Sequence, residues 1–127
     1  MNGILLDKFE TWIKQQGMEY VEYFNDYRYP VNLKFGNSYI VSIPFIHWND
    51  SNNTLQVLDN LILTPNGLMP CGADGEVLTT WNGIPEYNLE TMEDLKNVKL
   101  QVLELFKQVK EAHIEWRKFK MIKDFKG

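Results

Sequence analysis

Apolar and polar positions change period twice along this chain, and each change marks an element boundary. Leu5, Phe9, Trp12 and Ile13 recur at helical spacing, with Asp7, Lys8, Glu10 and Lys14 on the other side. The pattern predicts an amphipathic helix from Ile4 to Gln16, closed by Gly17, because glycine suits the left-handed conformation that ends helices. Period two then takes over. Tyr20, Glu22 and Phe24 alternate with Val21 and Tyr23, Asn25-Asp26 offers a turn, and Val31, Leu33 and Phe35 alternate with Asn32 and Lys34 before a second turn at Gly36-Asn37. Tyr39 to Trp48 is apolar on both faces, which predicts a central strand with a layer above and below. Pro44 cannot donate a ladder hydrogen bond, so it marks an edge or a bulge.

Asp50-Ser51-Asn52-Asn53 is the most polar stretch and predicts a loop. Three further apolar runs follow: Leu55 to Leu63, Leu68 to Cys71 and Val77 to Trp81. Between and after them lie Pro65-Asn66-Gly67, Asp74-Gly75 and Asn82-Gly83, whose residues tolerate the positive φ of tight turns. The expectation is an antiparallel meander, with Leu55 to Asn60 also compatible with a helical turn.

The remainder is different in kind. Thr91 with Asp94 three residues on resembles a capping box, and no glycine or proline interrupts Met92 to Phe125. Leu95, Val98, Val102, Leu105, Val109, Ala112, Trp116 and Phe119 follow at spacings of three and four, a heptad-like seam. A helix of about 33 residues is ~50 Å long. A compact domain of this length has a diameter of only ~36 Å. Either the helix breaks near Ala112, or its far half, with Trp116, Phe119, Ile122 and Phe125, packs on another chain. The favoured expectation is a homo-oligomer, most simply a dimer. The chain thus predicts one α+β domain over residues 1–127: a helix within 1–17, an antiparallel sheet of about five strands within 18–87, and a long helix within 88–127.

Composition narrows the class. With 44% apolar and 24% charged residues the chain is globular in type, and its net charge of −4 is no general attraction for nucleic acid or anionic lipid. A single cysteine, Cys71, excludes an internal disulfide framework and a thiolate zinc site. No apolar run approaches the ~20 residues that span a bilayer, and the first residues lack a basic segment followed by an apolar one. The expected setting is therefore cytoplasmic, with no membrane and with Cys71 reduced. Abundant Asn, Lys, Ile, Tyr and Phe beside two arginines, Arg28 and Arg117, is the usage of AT-rich coding sequence, as in low-GC bacteria and their phages.

Candidate chemistry is sparse. His47 and His113 fall on different elements, no metal-ligand spacing occurs, and there is no phosphate-binding or nucleophile-elbow motif, so no metal, cofactor or catalytic residue is assigned. His47 and Asp50 offer a minimal acid and base pair for a small hydrolase, or simply a strand end and its turn. Trp48 and Trp81, the latter followed by Asn82, each sit at a strand end beside a turn. Exposed at one rim they would form a stacking clamp or a partner anchor; otherwise they cover the open end of the sheet. Tyr27-Arg28-Tyr29 places a lone cation between two phenols, either for an anionic ligand or as a solvated hairpin tip.

Charge is uneven. Residues 1–90 hold four basic and eleven acidic groups, net −7, and residues 91–127 hold nine basic and six acidic, net +3. The basic helix end, with Lys118, Lys120 and Lys123, suits a phosphate backbone, an acidic partner, or merely the helix macrodipole. The resulting expectation is a non-catalytic binding protein that sequesters or blocks a partner, in its most concrete version a phage or mobile-element inhibitor of a host defence system. Binding of a small anionic ligand such as a nucleotide, binding of nucleic acid and the small hydrolase are the alternatives.

Overall fold

The computed structural model describes residues 1–35, 38–64 and 67–126, with side chains described outside 32–41 and 119–126. Helix α1 spans Gly3–Gln15, and its first turn is capped by the Asn2 side chain, which accepts from the N–H groups of Ile4 and Leu5. Gly17 follows it with φ of 85°, the left-handed conformation expected of a helix stop. Leu5, Phe9 and Ile13 form its buried stripe.

Strands β1 (Glu19–Val21), β2 (Asp26–Phe35), β3 (Ser38–Asn49), β4 (Thr54–Val57) and β7 (Glu86–Tyr87) make one five-stranded sheet in the order β1-β2-β3-β4-β7, antiparallel throughout. A 3-10 turn over Glu22–Phe24 joins β1 to β2, and Asn25 closes it at φ of 51°. Strands β5 (Asn60–Thr64) and β6 (Gly67–Cys71) form a separate hairpin. The α+β class, the central position of β3 and the order of the first four strands follow the sequence reading. The turns at Gly36-Asn37 and Pro65-Asn66 lie outside the described residues.

One open alternative is settled and two sequence expectations are corrected. Leu55 belongs to a strand, β4, and not to a helical turn. Val77 to Trp81 is not a strand: it makes only the bridge from Val77 to Cys71, because this segment folds back over the sheet instead of extending it. The second correction concerns β3, where Phe45 and Ile46 are apolar in succession because of a bulge, while the other face, beneath the segment that carries Trp81, presents His47. Tyr27 pairs with Ile46 while Arg28 pairs with Pro44, so Phe45 is an extra residue in the ladder. This bulge lets Phe45 and Ile46, consecutive in sequence, both be fully buried. Pro44 sits where the ladder is already broken.

Helix α2 runs from Met92 to Lys126 without interruption past Ala112, about 52 Å at 1.5 Å per residue. Its start is a reciprocal capping box: Asp94 N–H donates to Thr91 Oγ at 3.2 Å, and Thr91 N–H to Asp94 Oδ2 at 2.9 Å. Leu95, Val98, Val102, Leu105, Val109 and Ala112 are buried in one core with α1 and the sheet, and Trp116 is partly buried against it. Tyr29 reaches Phe45 and Phe106, with ring centroids 5.4 and 4.6 Å apart, fastening α2 over the bulge. Polar contacts fix the rest: Gln101 Nε2 donates to the carbonyls of Leu58 and Asp59, and Leu61 N–H donates to Gln108 Oε1.

Candidate functional site

Residues directly paired across an antiparallel ladder share a face. Tyr27 pairs with Ile46 and Ile46 with Val57, while Trp48 pairs with Leu55 and Leu55 with Tyr87. These are apolar rows beneath the helices. The intervening row is polar: Asp26 opposite His47, His47 opposite Gln56, Gln56 opposite Glu86. The sheet therefore has a greasy face and a polar one, and the segment containing Trp81 returns across the polar face.

A turn holds that segment. Ile84 N–H donates to the Trp81 carbonyl at 3.2 Å, and Gly83 supplies the positive φ of 80° that its position needs. Gln56, only 7% exposed, then clasps the turn from below: its Nε2 donates to the carbonyls of Trp81, at 2.8 Å, and Ile84, at 3.3 Å. The indole of Trp81 consequently lies on the imidazole of His47, centroids 5.1 Å apart and planes within 17°.

Beside this stack opens a groove of about 600 Å³, lined by residues that include His47, Asn49, Ser51, Gln56, Trp81, Asn82 and Glu86. Glu86 is its one carboxylate. Its Oε1 accepts from Asn52 Nδ2 at 2.7 Å, Asn49 Nδ2 at 2.9 Å and Thr54 Oγ at 3.2 Å. Three neutral donors hold the group, and no lysine or arginine among the described residues lines the groove.

The residues singled out from the sequence are dispersed. Trp81, Asn82 and His47 meet at the groove. Trp48 follows His47 in the unbroken part of β3 and so faces the helices, lining a second hollow of about 330 Å³ with Glu10, Tyr20 and Tyr27. The two indoles do not form one clamp. Tyr27, Arg28 and Tyr29 lie within β2 and not at a hairpin tip, since β2 begins one residue earlier. Tyr27 is buried and its hydroxyl donates to Glu10 Oε1 at 2.9 Å, while Tyr29 is partly buried against the core. Burial, reinforced by that bond to a carboxylate, pushes the Tyr27 phenol well above its usual range.

Arg28 has its own internal partner. Its Nε and Nη2 donate to the two oxygens of Asp26, at 2.9 and 3.2 Å, and the guanidinium lies 4.8 Å from the Phe24 ring centre. Asp26 is 2% exposed, so this forked pair neutralises a buried charge. His47 Nδ1 is buried without a hydrogen-bond partner, and Asp50 instead accepts from Asn25 Nδ2 at 3.3 Å. The imidazole and carboxylate are not joined. Burial raises the Cys71 thiol above its usual range, with Asp59 and Asp74 adding to the effect, which is the opposite of nucleophile activation. Among the described residues no three His, Cys, Asp or Glu side chains converge as a metal set.

On α2, Trp116 is half-buried, and Lys118 lies 3.9 Å from Glu115. The side chains of Phe119, Lys120, Ile122, Lys123 and Phe125 lie outside the described residues. No helix among the described residues is long and apolar enough to cross a membrane.

Sequence reasoning missed Gln56 and Glu86. A signal for the first was present: Gln56 is the one polar residue between Leu55 and Val57 in a run otherwise apolar through Leu58. Glu86 became visible only when the ladder set it beside Gln56.

No family model matches this chain, and neither a curated protein nor a solved structure was found to be similar to it.

Proposed function

We propose that this protein is a non-catalytic binding protein that takes a polar group of another molecule into the groove on the polar face of its sheet, and so sequesters or blocks that molecule. The observation that carries the reading is the held geometry of the groove. Trp81 is fixed on His47 by a glycine turn and by two hydrogen bonds from Gln56, all of them contacts within the chain. A wall ordered in advance loses little entropy on binding, which favours recognition.

Other readings have less support. Hydrolysis through His47 and Asp50 needs a hydrogen-bonded pair, and each side chain is placed otherwise. A nucleotide sponge needs a free cation, and Arg28 is already forked onto Asp26. For nucleic acid, the lysines of the α2 end remain the only basis.

The groove reading is tested by melting the wild-type chain and Trp81→Ala with a panel of cationic, neutral and anionic small molecules. A groove ligand raises the Tm of the wild type by mass action and leaves the variant unmoved. A flat panel, or an equal rise in both, contradicts the proposal.

We further propose that the chain assembles as a homodimer through the outer part of α2. The support is a helix of 35 residues whose last buried side chain among the described residues is Ala112, while Leu100, Leu103 and Ile114 stay exposed. Light scattering should give twice the 15.0 kDa chain mass. A single-chain mass over the same concentration range contradicts it.

A further inference from the structure

The groove presents a fixed carboxylate beside an aromatic wall and, among the described residues, holds no lysine or arginine; resting on the groove as the binding site, we infer that it accepts the guanidinium group of an arginine side chain on a partner protein. Glu86 is the starting point. Asn49, Asn52 and Thr54 all donate to Oε1, which leaves Oε2 without a hydrogen-bond partner among the described residues. No lysine, arginine or histidine nitrogen comes within 4.0 Å of either oxygen among those residues, since the ion pairs found there involve other acids. The carboxylate is thus held in place by neutral groups and, being exposed, meets solvent and no cation among the described residues.

The neighbours choose among ligands. A phosphate or carboxylate would meet Glu86 with no lysine or arginine lining the groove to offset the repulsion. A neutral group would gain the wall and leave the charge of Glu86 unanswered. A cation answers it, and the stacked rings of His47 and Trp81 distinguish the kind of cation. An ammonium is compact and strongly hydrated, whereas a guanidinium is flat, less hydrated, packs on aromatic rings and offers forked donors that match a carboxylate. Gln56 and Asn82 line the same groove, and an amide side chain carries an acceptor oxygen that suits the remaining N–H groups.

Two features outside the groove agree with a basic partner carried on a polypeptide. Residues 1–90, which contain the whole sheet, bear a net charge of −7 and draw positive surfaces towards it. Glu86 also lies on β7, the edge strand of the five-stranded sheet, with no further strand beyond it among the described residues. An extended chain has room along that edge to deliver its side chain into the groove.

The test uses two blocked amino acids of nearly equal shape, N-acetyl-arginine amide and N-acetyl-citrulline amide, titrated into the full chain while the indole N–H signal of Trp81 is followed by NMR. The arginine probe should shift that signal saturably, with citrulline about threefold to tenfold weaker, the range expected for losing one exposed charge pair and one cation–π contact. Glu86→Gln should weaken the arginine probe by a similar factor and leave citrulline unchanged. The comparison of the two probes on the wild type does not depend on how the variant folds.

Equal affinities would overturn the guanidinium assignment while leaving the groove as a binding site. No response of Trp81 to the arginine probe up to roughly 50 mM, well above the millimolar range reasonable for so small a ligand, would also overturn it. In that case the wider melting panel separately decides whether the groove binds anything.

Discussion

The imidazole of His47 and the indole of Trp81 lie in parallel contact, 5.1 Å between centroids, although they belong to a central strand and to a turn far along the chain. The contact is made by neither ring alone. It requires Gly83 in the turn, Gln56 beneath it, and the bulge at Phe45 that sets which side of β3 His47 occupies.

Gln56→Ala should loosen the groove without dismantling the core. It removes both donors to the Trp81 and Ile84 carbonyls, and a pair of part-buried hydrogen bonds is worth about 1–2 kcal/mol net. Urea unfolding should show that loss, and near-ultraviolet circular dichroism should show a weakened Trp81 signal. An unchanged spectrum would mean that the turn holds itself.

Arg28→Ala should destabilise by about 2 kcal/mol, because it strands the buried carboxylate of Asp26. Adding Asp26→Asn should restore part of the loss in a double-mutant cycle. Strict additivity of the two changes would contradict the pairing.

Alkaline stability should depend on Tyr27. Its phenol is raised from the usual 10.0, first by burial and then by Glu10, so its contribution is full below that value and is lost as pH rises through the folded value. Tyr27→Phe removes this dependence. Urea midpoints of the wild type should fall more steeply than those of the variant above pH 10.

Acid has the opposite sign at the start of α2. The N–H groups of Glu90 and Thr91 hold the Asp94 carboxyl below its usual 3.8. Its contribution is present above that value and disappears as pH falls through the folded one. Asp94→Asn should flatten the acid limb of stability, which an NMR titration of the Asp94 side chain would check independently.

The helices were legible in the sequence because their signals are local: the stripe of Leu5, Phe9 and Ile13, the glycine at 17, and the Thr91 and Asp94 box all act within a few residues. The strand errors have the opposite origin. The apolar run in β3 looks two-sided only if alternation is unbroken, and one extra residue at Phe45 reverses the assignment of everything beyond it. Val77 to Trp81 has strand composition, yet its long-range packing against the sheet decides its path.

The candidate site was half legible for the same reason. Trp81 and His47 attract notice as residue types, whereas Glu86 and Gln56 acquire meaning only from register. Arg28 illustrates the reverse case. It looks like a free cation in sequence, and its partner two residues away, Asp26, claims it.

The most direct test of the groove uses the four tryptophans as reporters, since Trp81 lies at the groove, Trp48 beneath the helices, Trp12 on α1 and Trp116 on α2. Their indole N–H signals are followed while a ligand found by thermal shift is added. Binding in the groove should give a saturable shift of Trp81 with Trp48 unmoved. A ligand that moves Trp48 or Trp116 and leaves Trp81 in place would contradict it.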